Sequence, residues 1–271
     1  MLSKLRHIEN QPDSLPPHHR VPVKWAVERV LTCPSTNDEV VRRASAGEIE
    51  PPYVLVADSQ TAGHGRDGRQ WVTPPHAALT MSAFIKPTAP REKWGLVPLW
   101  AGLACKQALA VFGYDAQLKW PNDVLLPAAA PINGLGKRRK VGGILCQGSA
   151  NKGIVIGIGI NVAQAENELP VPTATSLALN GSNPPTVNCL FDALLTNLAG
   201  VIASWQQGNE TELLKQYQQD CVNIGTKVTI TNTGSGELTG QALGLNGDGS
   251  LLVQQPDGSK VACHAGDLWL A

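Results

Sequence analysis

This 271-residue chain has no excess of either charge, because its 22 lysine and arginine residues equal its 22 aspartate and glutamate residues. Zero net charge argues against non-specific binding of nucleic acid or of an acidic membrane surface as its main task. Aromatic residues are scarce, at 5%, and we find no apolar run of the length needed to cross a membrane. The 42% hydrophobic content is nevertheless ample for a core and excludes disorder of the chain as a whole.

The cysteine and histidine patterns exclude two kinds of site. The six cysteines are scattered and contain no C-x-x-C pair, which is typical of reduced cytoplasmic thiols rather than of a disulfide framework or a zinc site. The six histidines show no H-E-x-x-H spacing. The first residues contain no apolar segment of the signal-peptide type. We therefore expect a cytoplasmic protein with no metal ligands of its own.

The most informative stretch is 57–71, ADSQTAGHGRDGRQW. Its glycines at 63, 65 and 68 allow positive φ angles and close approach of backbone N–H groups to a ligand. Arg66 and Arg69 carry guanidinium groups, which bind phosphate or carboxylate bidentately. The pattern predicts a loop that closes over an anion. The alternative is an exposed hairpin turn with two solvated arginines.

The same glycines fit G-x-G-x-x-G, the pattern that binds dinucleotides where a strand turns into a helix. Here Pro74 and Pro75 follow the loop, and prolines forbid a helix continuing from it. The next apolar run, 77–85, is expected to be a strand. The sequence thus disfavours a dinucleotide-binding fold.

Apolar patterning predicts the remaining elements of the first 222 residues. A helix is expected from a cap at Ser35 or Thr36 to Gly47. The stretch 127–140, rich in alanine, proline and glycine, is expected to be a loop. Strands are expected at 25–31, 53–57, 77–85, 118–126 (with a kink at a proline), 141–147 and 154–162, and further helices at 94–112, 186–206 and 210–221.

The pattern of apolar residues and glycines changes near residue 223. Short strand-like runs separated by Gly-rich turns predict a small separate β-barrel. The runs are 227–231, 238–245, 251–254, 261–264 and 268–270. We therefore expect a loosely ordered arm over 1–23, a main domain over 24–222 and a barrel over 223–271.

Five short motifs follow one another along the main domain. They are Ser35-Thr36-Asn37, the Gly/Arg loop with Gln60 and Trp71, KWPND at 119–123, KVGGIL at 140–145 and GIGINV at 157–162. In this order they resemble the biotin–protein ligases. The resemblance covers about 32–162 by motif and the C-terminal strands by pattern. It implies an α+β fold, in which a mixed-sheet catalytic domain of the biotin/lipoate ligase type, related to class II aminoacyl-tRNA synthetases, precedes an SH3-like barrel.

The resemblance also implies an activity and its partners. The family activates biotin with Mg-ATP to biotinyl-5′-AMP, and then transfers biotin to a lysine of the biotin carboxyl carrier protein of acetyl-CoA carboxylase. Biotin, ATP and Mg²⁺ are therefore expected, and monomer and homodimer stay open. Because the DNA-binding domain of the repressor-type members is not recognised, we expect a monofunctional ligase that binds neither DNA nor membrane.

Carried over motif by motif, the resemblance assigns three sets of site residues. The catalytic set is Arg66, Lys119 and Lys140. Contacts to biotin are expected from Ser35, Thr36, Asn37, Gln60, Gly63, His64, Gly65, Arg66, Lys140 and Gly143. Contacts to ATP are expected from Arg66, Arg69, Trp71, Asn122, Asp123, Lys140 and Asn161.

The residue types suit this chemistry. Attack of a carboxylate on an α-phosphate brings two anions together, and fixed cations lower the repulsion and stabilise charge on the phosphorus oxygens. Arg66, Arg69, Lys119 and Lys140 supply such cations. The adenylate is already activated, so the transfer needs no Ser, Cys or His nucleophile. A glycine-rich loop can admit substrate and then exclude water.

The sequence departs from the family pattern in two places. The family loop commonly reads G-R-G-R-R-G-R, whereas His64 and Asp67 replace two of its arginines here. The loop therefore carries fewer positive charges, and Asp67 can pair with Arg69 or repel phosphate. The stretch 127–140 is also longer than usual.

Two other interpretations stay open. A lipoate ligase or octanoyltransferase shares the fold, and a transferase of that type needs a nucleophilic cysteine, for which Cys146 is the candidate. The second is a non-catalytic adenylate-binding module, or a nucleic-acid binder that uses the basic run 137–140. The Gly/Arg loop together with KWPND favours the biotin ligases.

Overall fold

The computed structural model describes residues 24–150, 153–231 and 236–270. The arm expected over 1–23 lies outside the described residues. Within them the chain forms a larger and a smaller β-sheet with α-helices packed on the larger one.

The larger sheet is mixed. Its seven described strands are β1 (Ala26–Cys33), β2 (Tyr53–Gln60), β3 (Ala78–Ile85), β4 (Gln117–Lys119), β5 (Asp123–Ile132), β6 (Gly136–Ser149) and β7 (Gly153–Asn161). They lie in the order β1-β2-β3-β7-β6-β5-β4. The first two are parallel and the other neighbours are antiparallel. This architecture confirms the expected α+β class with a mixed sheet.

The helices begin and end largely where the sequence predicts. They are α1 (Thr36–Ala46), α2 (Val97–Ala110), α3 (Val187–Gln206) and α4 (Glu210–Asp220). Helix α1 is capped by Ser35, whose side chain accepts from the Asp38 N–H, and it ends at Gly47 with a φ of 71°. The predicted helix 94–112 instead divides into a 3₁₀ segment, Arg91–Leu96, and α2. Pro98 lies in the first turn of α2, where a proline is tolerated.

The two faces of the larger sheet carry different layers. Helices α2 and α3 pack together over one face, where the Trp100 and Trp205 ring centroids are 6.5 Å apart. Helix α1 packs on the other face, with Val40 and Ala44 against Leu55. The glycine-rich face of β7 is on the α1 side, so this side has room for a site.

Among the described residues, helix α3 is long and apolar enough to cross a membrane by length and composition. Half of its apolar window is buried inside the protein, where it packs on α2. The sequence-based expectation of no such run missed it because Asn188, Asp192 and Asn197 interrupt the apolar residues. The burial is that of a core helix.

The stretch 127–140 is a β-hairpin and not the loop expected from the sequence. It continues β5 and opens β6, with Gly134 in the turn at a φ of 78°. Residues 128–131 bulge between the pairs Pro127–Arg138 and Ile132–Gly136. Alanine and proline are poor strand formers, so the composition of this stretch predicted a loop. The hairpin forms because its two arms, β5 and β6, pair with each other.

The smaller sheet confirms the predicted C-terminal β unit. Its described strands are β8 (Lys227–Thr231), β9 (Leu238–Leu245), β10 (Leu251–Gln254), β11 (Lys260–Cys263) and β12 (Asp267–Leu270). All neighbours are antiparallel, in the order β11-β10-β9-β8-β12. The expected strands agree with these bounds to within one residue.

The smaller sheet packs against the β4 edge of the larger one. Trp120 is buried there; its indole N–H donates to the Gly249 carbonyl at 3.0 Å, and its backbone N–H donates to Asn223 Oδ1 at 2.7 Å. At the hairpin tip the Leu270 N–H donates to the Gly134 carbonyl at 3.1 Å. These contacts bring β12 to the open side of the larger sheet.

Candidate active site

A cavity of about 740 Å³ opens on the α1 side of the larger sheet. Its walls come from the start of α1, the Gly/Arg loop, strands β3 to β7, residues 170–174 and residues 266–269. All residues assigned to the site from the sequence line this cavity, except Gly63. Gly63 lies behind the wall, where an added Cβ would be 2.6 Å from Gln60 Nε2 and 2.8 Å from the Trp71 carbonyl oxygen. Gly63 therefore contributes to the site by leaving room for the Gln60 side chain and the Trp71 backbone.

One end of the cavity is polar and is built around the first turn of α1. Gln60 Oε1 accepts from the Thr36 backbone N–H at 2.7 Å and from the Thr36 hydroxyl at 3.0 Å. The Ser82 hydroxyl donates to Thr36 Oγ1 at 2.8 Å. Ser35 is buried beside them and caps the helix, with its Oγ 3.3 Å from the Asp38 nitrogen. The residues that cap α1 therefore also form the polar end of the cavity.

Asn37 lies in the same end of the cavity. Its Nδ2 donates to Gln147 Oε1 and to the Leu145 carbonyl. Its Oδ1 is buried and has no hydrogen-bond partner among the described residues. A Cβ on Gly157 would lie 2.5 Å from that oxygen, so only glycine leaves room for it. A buried polar atom without a partner costs about 1–3 kcal/mol, and an N–H of a ligand would remove that cost.

Trp71 forms the middle of the cavity wall. A Cβ on Gly159 would lie 2.5 Å from its Cε2 atom, so the indole rests directly on the backbone of β7. The backbone N–H of Trp71 donates to the Gly63 carbonyl at 2.8 Å, which ties the wall to the Gly/Arg loop. The glycine inside β7 therefore marks the close approach of an aromatic ring, as the sequence suggested.

Lys119, Asp123 and Lys140 form a charged cluster on the floor of the cavity. Lys140 Nζ lies 2.5 Å from Asp123 Oδ1, and Lys119 Nζ lies 3.0 Å from Asp123 Oδ2. Burial would raise the pKa of Asp123, but the charges of Lys140 and Lys119 outweigh it and hold that pKa well below its usual range. Two ammonium groups share one carboxylate, so the cluster keeps a net positive charge.

The two loop arginines both reach the segment that opens β12. Arg66 Nη1 lies 3.4 Å from Asn122 Oδ1 and 3.4 Å from the Gly266 carbonyl oxygen. Arg69 pairs with Asp267 of the smaller sheet rather than with Asp67. Both arginines therefore tie the loop to the start of β12, and Arg66 also reaches Asn122, the residue next to Asp123 in the chain.

The two departures from the family loop have different surroundings. His64 Nε2 lies 2.9 Å from Asp38 Oδ2, so the imidazole joins the loop to the first turn of α1. Asp67 is exposed, has a φ of 55°, and lies outside the described cavity wall. The expectation that Asp67 repels a phosphate in the site has no geometric support.

Asn161 lines the cavity, but the protein itself engages its amide. Nδ2 donates to the Thr175 carbonyl at 2.9 Å, and Oδ1 accepts from Gln164 Nε2 at 2.9 Å. The Thr175 N–H donates to the Lys140 carbonyl, and the Lys140 N–H donates to the Thr173 carbonyl, both at 2.8 Å. Asn161 thus holds the segment that fixes the backbone of Lys140. Sequence reasoning missed Gln164 and 173–175, which belong to no motif.

Sequence reasoning also missed the part of the wall that comes from the smaller sheet. Residues 266–269 line the cavity, and Lys119 Nζ lies 6.0 Å from the centroid of the Trp269 ring. The pair Gly266-Asp267 had only the signature of a turn. Gly266 meets a loop residue 200 positions earlier in the chain, and no local pattern encodes such a distance.

Cys146 does not fit the nucleophile of an octanoyltransferase. It is absent from the described cavity wall and packs against the core on the other face of β6. Its neighbour Leu145 lines the cavity, and adjacent side chains of a strand lie on opposite faces. Burial raises the pKa of the Cys146 thiol well above its usual value, which disfavours the reactive thiolate.

Comparison with known protein families matches both parts of the chain. Residues 30–161 match the biotin/lipoate A/B protein ligase family, and residues 224–268 match the biotin protein ligase C terminal domain. The chain is 34% identical over 239 residues to the biotin--[acetyl-CoA-carboxylase] ligase of Mycobacterium tuberculosis, across 86% of this chain and 85% of that protein. It is 31% identical to the protein of the same name from Paracoccus denitrificans, across 84% of this chain and 93% of that one.

The fold is also similar to that of a solved structure, the biotin protein ligase from Aquifex aeolicus in complex with biotin and ATP. The TM-score is 0.77 over 91% of this chain and 99% of that one, at 24% sequence identity. At this identity the likeness concerns the fold alone. The two curated relatives share more than 30% of their residues with this chain along most of both lengths. The chain therefore belongs to the biotin protein ligases of the biotin/lipoate A/B protein ligase family.

Proposed function

We propose that this chain is an ATP-dependent biotin–[acetyl-CoA-carboxylase] ligase. It converts biotin and Mg-ATP to biotinyl-5′-AMP and pyrophosphate, and then transfers biotin to a lysine of the biotin carboxyl carrier protein. One observation carries the proposal: a cation-rich cluster and a polar end with a buried acceptor atom that lacks a partner among the described residues share one cavity. The names of the curated relatives support it.

The polar end suits the ureido ring of biotin. A ureido group carries two N–H donors and one carbonyl acceptor, and Asn37 Oδ1 offers an acceptor for one of the donors. The Ser35 hydroxyl accepts from the Asp38 N–H, so its own proton remains for the ureido carbonyl. We assign contacts with the ring to Ser35, Thr36, Asn37 and Gln60.

The remaining biotin contacts in our assignment lie between the polar end and the charged cluster. A Cβ on Gly143 would lie 3.1 Å from Lys140 Nζ, so this glycine leaves space for the lysine, and Gly65 lines the cavity from the Gly/Arg loop. His64 closes the mouth of the cavity through its contact with Asp38. Gly63 acts by leaving room for Gln60 and Trp71.

The charged cluster and Arg66 suit the first chemical step. A carboxylate oxygen of biotin attacks the α-phosphorus of ATP, the bond from that phosphorus to the bridging oxygen breaks, and pyrophosphate leaves with the bonding electrons. Lys119, Lys140 and Arg66 are the cations that stabilise the developing charge. Asp123 stays ionised between the two lysines, and we assign it the role of holding both ammonium groups in place.

The second step needs only positioning and an expelled leaving group. The neutral amine of the acceptor lysine attacks the acyl carbon of biotinyl-5′-AMP, an amide bond forms, AMP leaves, and the amine proton passes to water. Asp123 is a poor general base, because its pKa lies below the usual range. We therefore assign no general base for this step to the chain.

The nucleotide side combines contacts from the loop and the sheet. We assign Arg66, Arg69, Trp71, Asn122, Asp123 and Lys140 to ATP, with Asn161 acting through residues 173–175. No group of three His, Cys, Asp or Glu side chains suited to a metal ion occurs among the described residues. Mg²⁺ therefore fits as part of the Mg-ATP substrate, held mainly by the phosphates as is usual for this ion.

We propose that the catalytic domain spans 24–222 and the barrel 223–271, with 1–23 as an arm, and that the enzyme acts as a monomer or homodimer without DNA. All six cysteines are free, which fits the reducing cytoplasm.

The proposed function is tested by biotinylation of a purified biotin carboxyl carrier protein. The enzyme, ATP, Mg²⁺ and biotin are incubated with the carrier, and its mass is measured. We expect an increase by one biotinyl group, which disappears when the acceptor lysine is replaced by arginine. An unchanged carrier mass with biotin, together with modification by lipoate, would instead assign the chain to the lipoate branch.

A further inference from the structure

Gln147 lies on β6 behind the polar end of the cavity, and it is absent from the described cavity wall. Leu145 lines the cavity, and side chains alternate along a strand, so Leu145, Gln147 and Ser149 share the face of β6 that α1 covers. Two contacts agree with this placement. Asn37, in the first turn of α1, donates to Gln147 Oε1, and Ser45 Oγ, in its last turn, lies 3.4 Å from Ser149 Oγ. Helix α1 therefore runs along β6 with Asn37 over Gln147.

The side-chain amide of Asn37 has a donor end and an acceptor end, and its neighbours decide which end faces them. Leu145 offers a backbone carbonyl, which can only accept, so the atom that faces it at 3.4 Å is the donor Nδ2. Gln147 Oε1 is the closer of the two acceptors. With Nδ2 held by both, Asn37 Oδ1 lies over Gly157 of the cavity wall, without a partner among the described residues.

The opposite orientation of the Asn37 amide would serve the ligand badly. Oδ1 would then face the Leu145 carbonyl and Gln147 Oε1, which places acceptor against acceptor. Nδ2 would face the N–H groups of a ureido ring, which places donor against donor. A site built to pair with a particular polar group rejects a ligand that lacks it, because its own buried group is then left unpaired. The orientation of this one amide therefore decides which ligands the polar end accepts.

We propose that Gln147 is a positioning residue for recognition of the biotin ring. It holds the Asn37 amide with Oδ1 towards the cavity, and it thereby selects a ligand that brings an N–H donor to this oxygen. The inference rests on the proposed function and adds to it a residue that belongs to none of the five sequence motifs. Gln147 acts on the ligand only through Asn37, since it does not line the described cavity.

Kinetics of biotin-dependent pyrophosphate exchange separate this role from a structural one. Gln147→Met keeps the length of the side chain and replaces the amide by a thioether, which is a weak acceptor. We expect the KM for biotin to rise about tenfold, as for one weakened hydrogen bond. The KM for ATP and the kcat should stay within about twofold of the wild type, because the affected contact is remote from the reacting atoms.

Two further variants control this experiment. Gln147→Glu keeps an acceptor at the same position and should restore most of the affinity for biotin. Gln241→Met makes the same change as Gln147→Met at an exposed position of β9, and it should leave all three constants unchanged. A restored KM in Gln147→Glu would show that the position supplies an acceptor and not only a packed side chain.

Ligand analogues probe the hydrogen bond itself. The two cyclic carbamate analogues of biotin each have an oxygen in place of one ureido N–H, and their dissociation constants are measured by calorimetry without ATP. The wild type should bind one of them more weakly than biotin, because its ring oxygen would meet Asn37 Oδ1. In Gln147→Met this discrimination should shrink severalfold, because the Asn37 amide is free to turn and offer Nδ2. Gln147→Glu should discriminate as the wild type does, and this variant decides the question even where Gln147→Met is unstable.

Several outcomes would overturn the proposal. They are an unchanged KM for biotin in Gln147→Met, equal rises in the KM for biotin and for ATP, a KM for biotin in Gln147→Glu as high as in Gln147→Met, and equal discrimination against the carbamates in the wild type and Gln147→Met. Absence of exchange with biotin in the wild type would overturn the proposed function together with this inference. Normal exchange with an unchanged KM for biotin in Gln147→Met would overturn the role of Gln147 alone.

Discussion

Lys140 Nζ lies 2.5 Å from Asp123 Oδ1, although the backbone register pairs Lys140 with Leu125 and not with Asp123. The register shift after Val124 and the length of the lysine side chain together permit this contact. The backbone of Lys140 is fixed on its other side by Thr173 and Thr175. Lys140 is therefore the residue through which the sheet, the charged cluster and the segment after β7 are joined.

The first prediction contrasts Lys140 with a lysine of the same basic run. Lys140→Ala should slow biotin-dependent pyrophosphate exchange by a factor of about 10²–10³, the usual cost of one lost transition-state donor. Lys137→Ala should leave the exchange rate within about twofold, because Lys137 is an exposed surface charge. Equal exchange rates in the two variants would show that Lys140 is only a solvated surface charge.

The second prediction concerns Asp123 and pH. Its pKa in the folded protein lies below the unfolded value of about 3.9, so its contribution to stability is present above about pH 4 and is lost as the pH falls towards the folded pKa. Asp123→Asn should lower the free energy of unfolding near neutral pH by about 1–3 kcal/mol, less than for a fully buried pair because the Lys140 side chain is 34% exposed. Urea unfolding across the acid range measures it. A wild-type-to-variant difference that stays constant from neutral pH to about pH 3 would contradict this account.

The third prediction uses two glycines of neighbouring strands. A Cβ at Gly159 would lie 2.5 Å from the Trp71 ring, whereas a Cβ at Gly148 would meet nothing within 4 Å. Gly159→Ala should cost about 1–3 kcal/mol of stability through overpacking, and it should also raise the KM for biotin or ATP because Trp71 is displaced. Gly148→Ala is the matched control and should change neither quantity. Similar KM values in the two variants would show that the position of Trp71 does not shape the site.

The fourth prediction tests the buried network behind Lys140. Gln164 is 1% exposed, and its Nε2 donates to Asn161 Oδ1. Gln164→Leu removes that donor from a buried polar network, so the segment 173–175 should loosen and the kcat of pyrophosphate exchange should fall about tenfold, while the KM for biotin stays near that of the wild type. Gln216→Leu, on the outer face of α4, is the control. Lower stability with an unchanged kcat would reduce Gln164 to a structural residue.

The features that could be predicted from the sequence are those that short-range chemistry decides. Ser35 and Gly47 end α1 where their residue types predict, because caps depend on hydrogen bonds within one turn. The strands of the smaller sheet could be predicted equally well, because alternating residues and Gly-rich turns specify them locally. The order of the five motifs along the chain indicated the family, and the residues of these motifs lie around one cavity.

The features that could not be predicted depend on residues far apart in the chain. The hairpin over 127–140 forms because β5 and β6 pair, not because its alanines and prolines favour a strand. Asp267 and Trp269 enter the cavity wall only through packing of the smaller sheet. Asn161 was assigned to ATP from its motif, whereas its amide is engaged by Gln164 and Thr175. Tertiary contacts decide all of these positions.

The most direct test of the account is biotin-dependent exchange of labelled pyrophosphate into ATP by the full chain with Mg²⁺. Exchange reports reversible formation of the adenylate, so it probes the polar end and the charged cluster in one measurement. We predict exchange with biotin, exchange slowed by a factor of about 10²–10³ in Lys140→Ala, and none with lipoate. Exchange with lipoate but not with biotin, or no exchange with either, would contradict the assignment of this cavity to biotin activation.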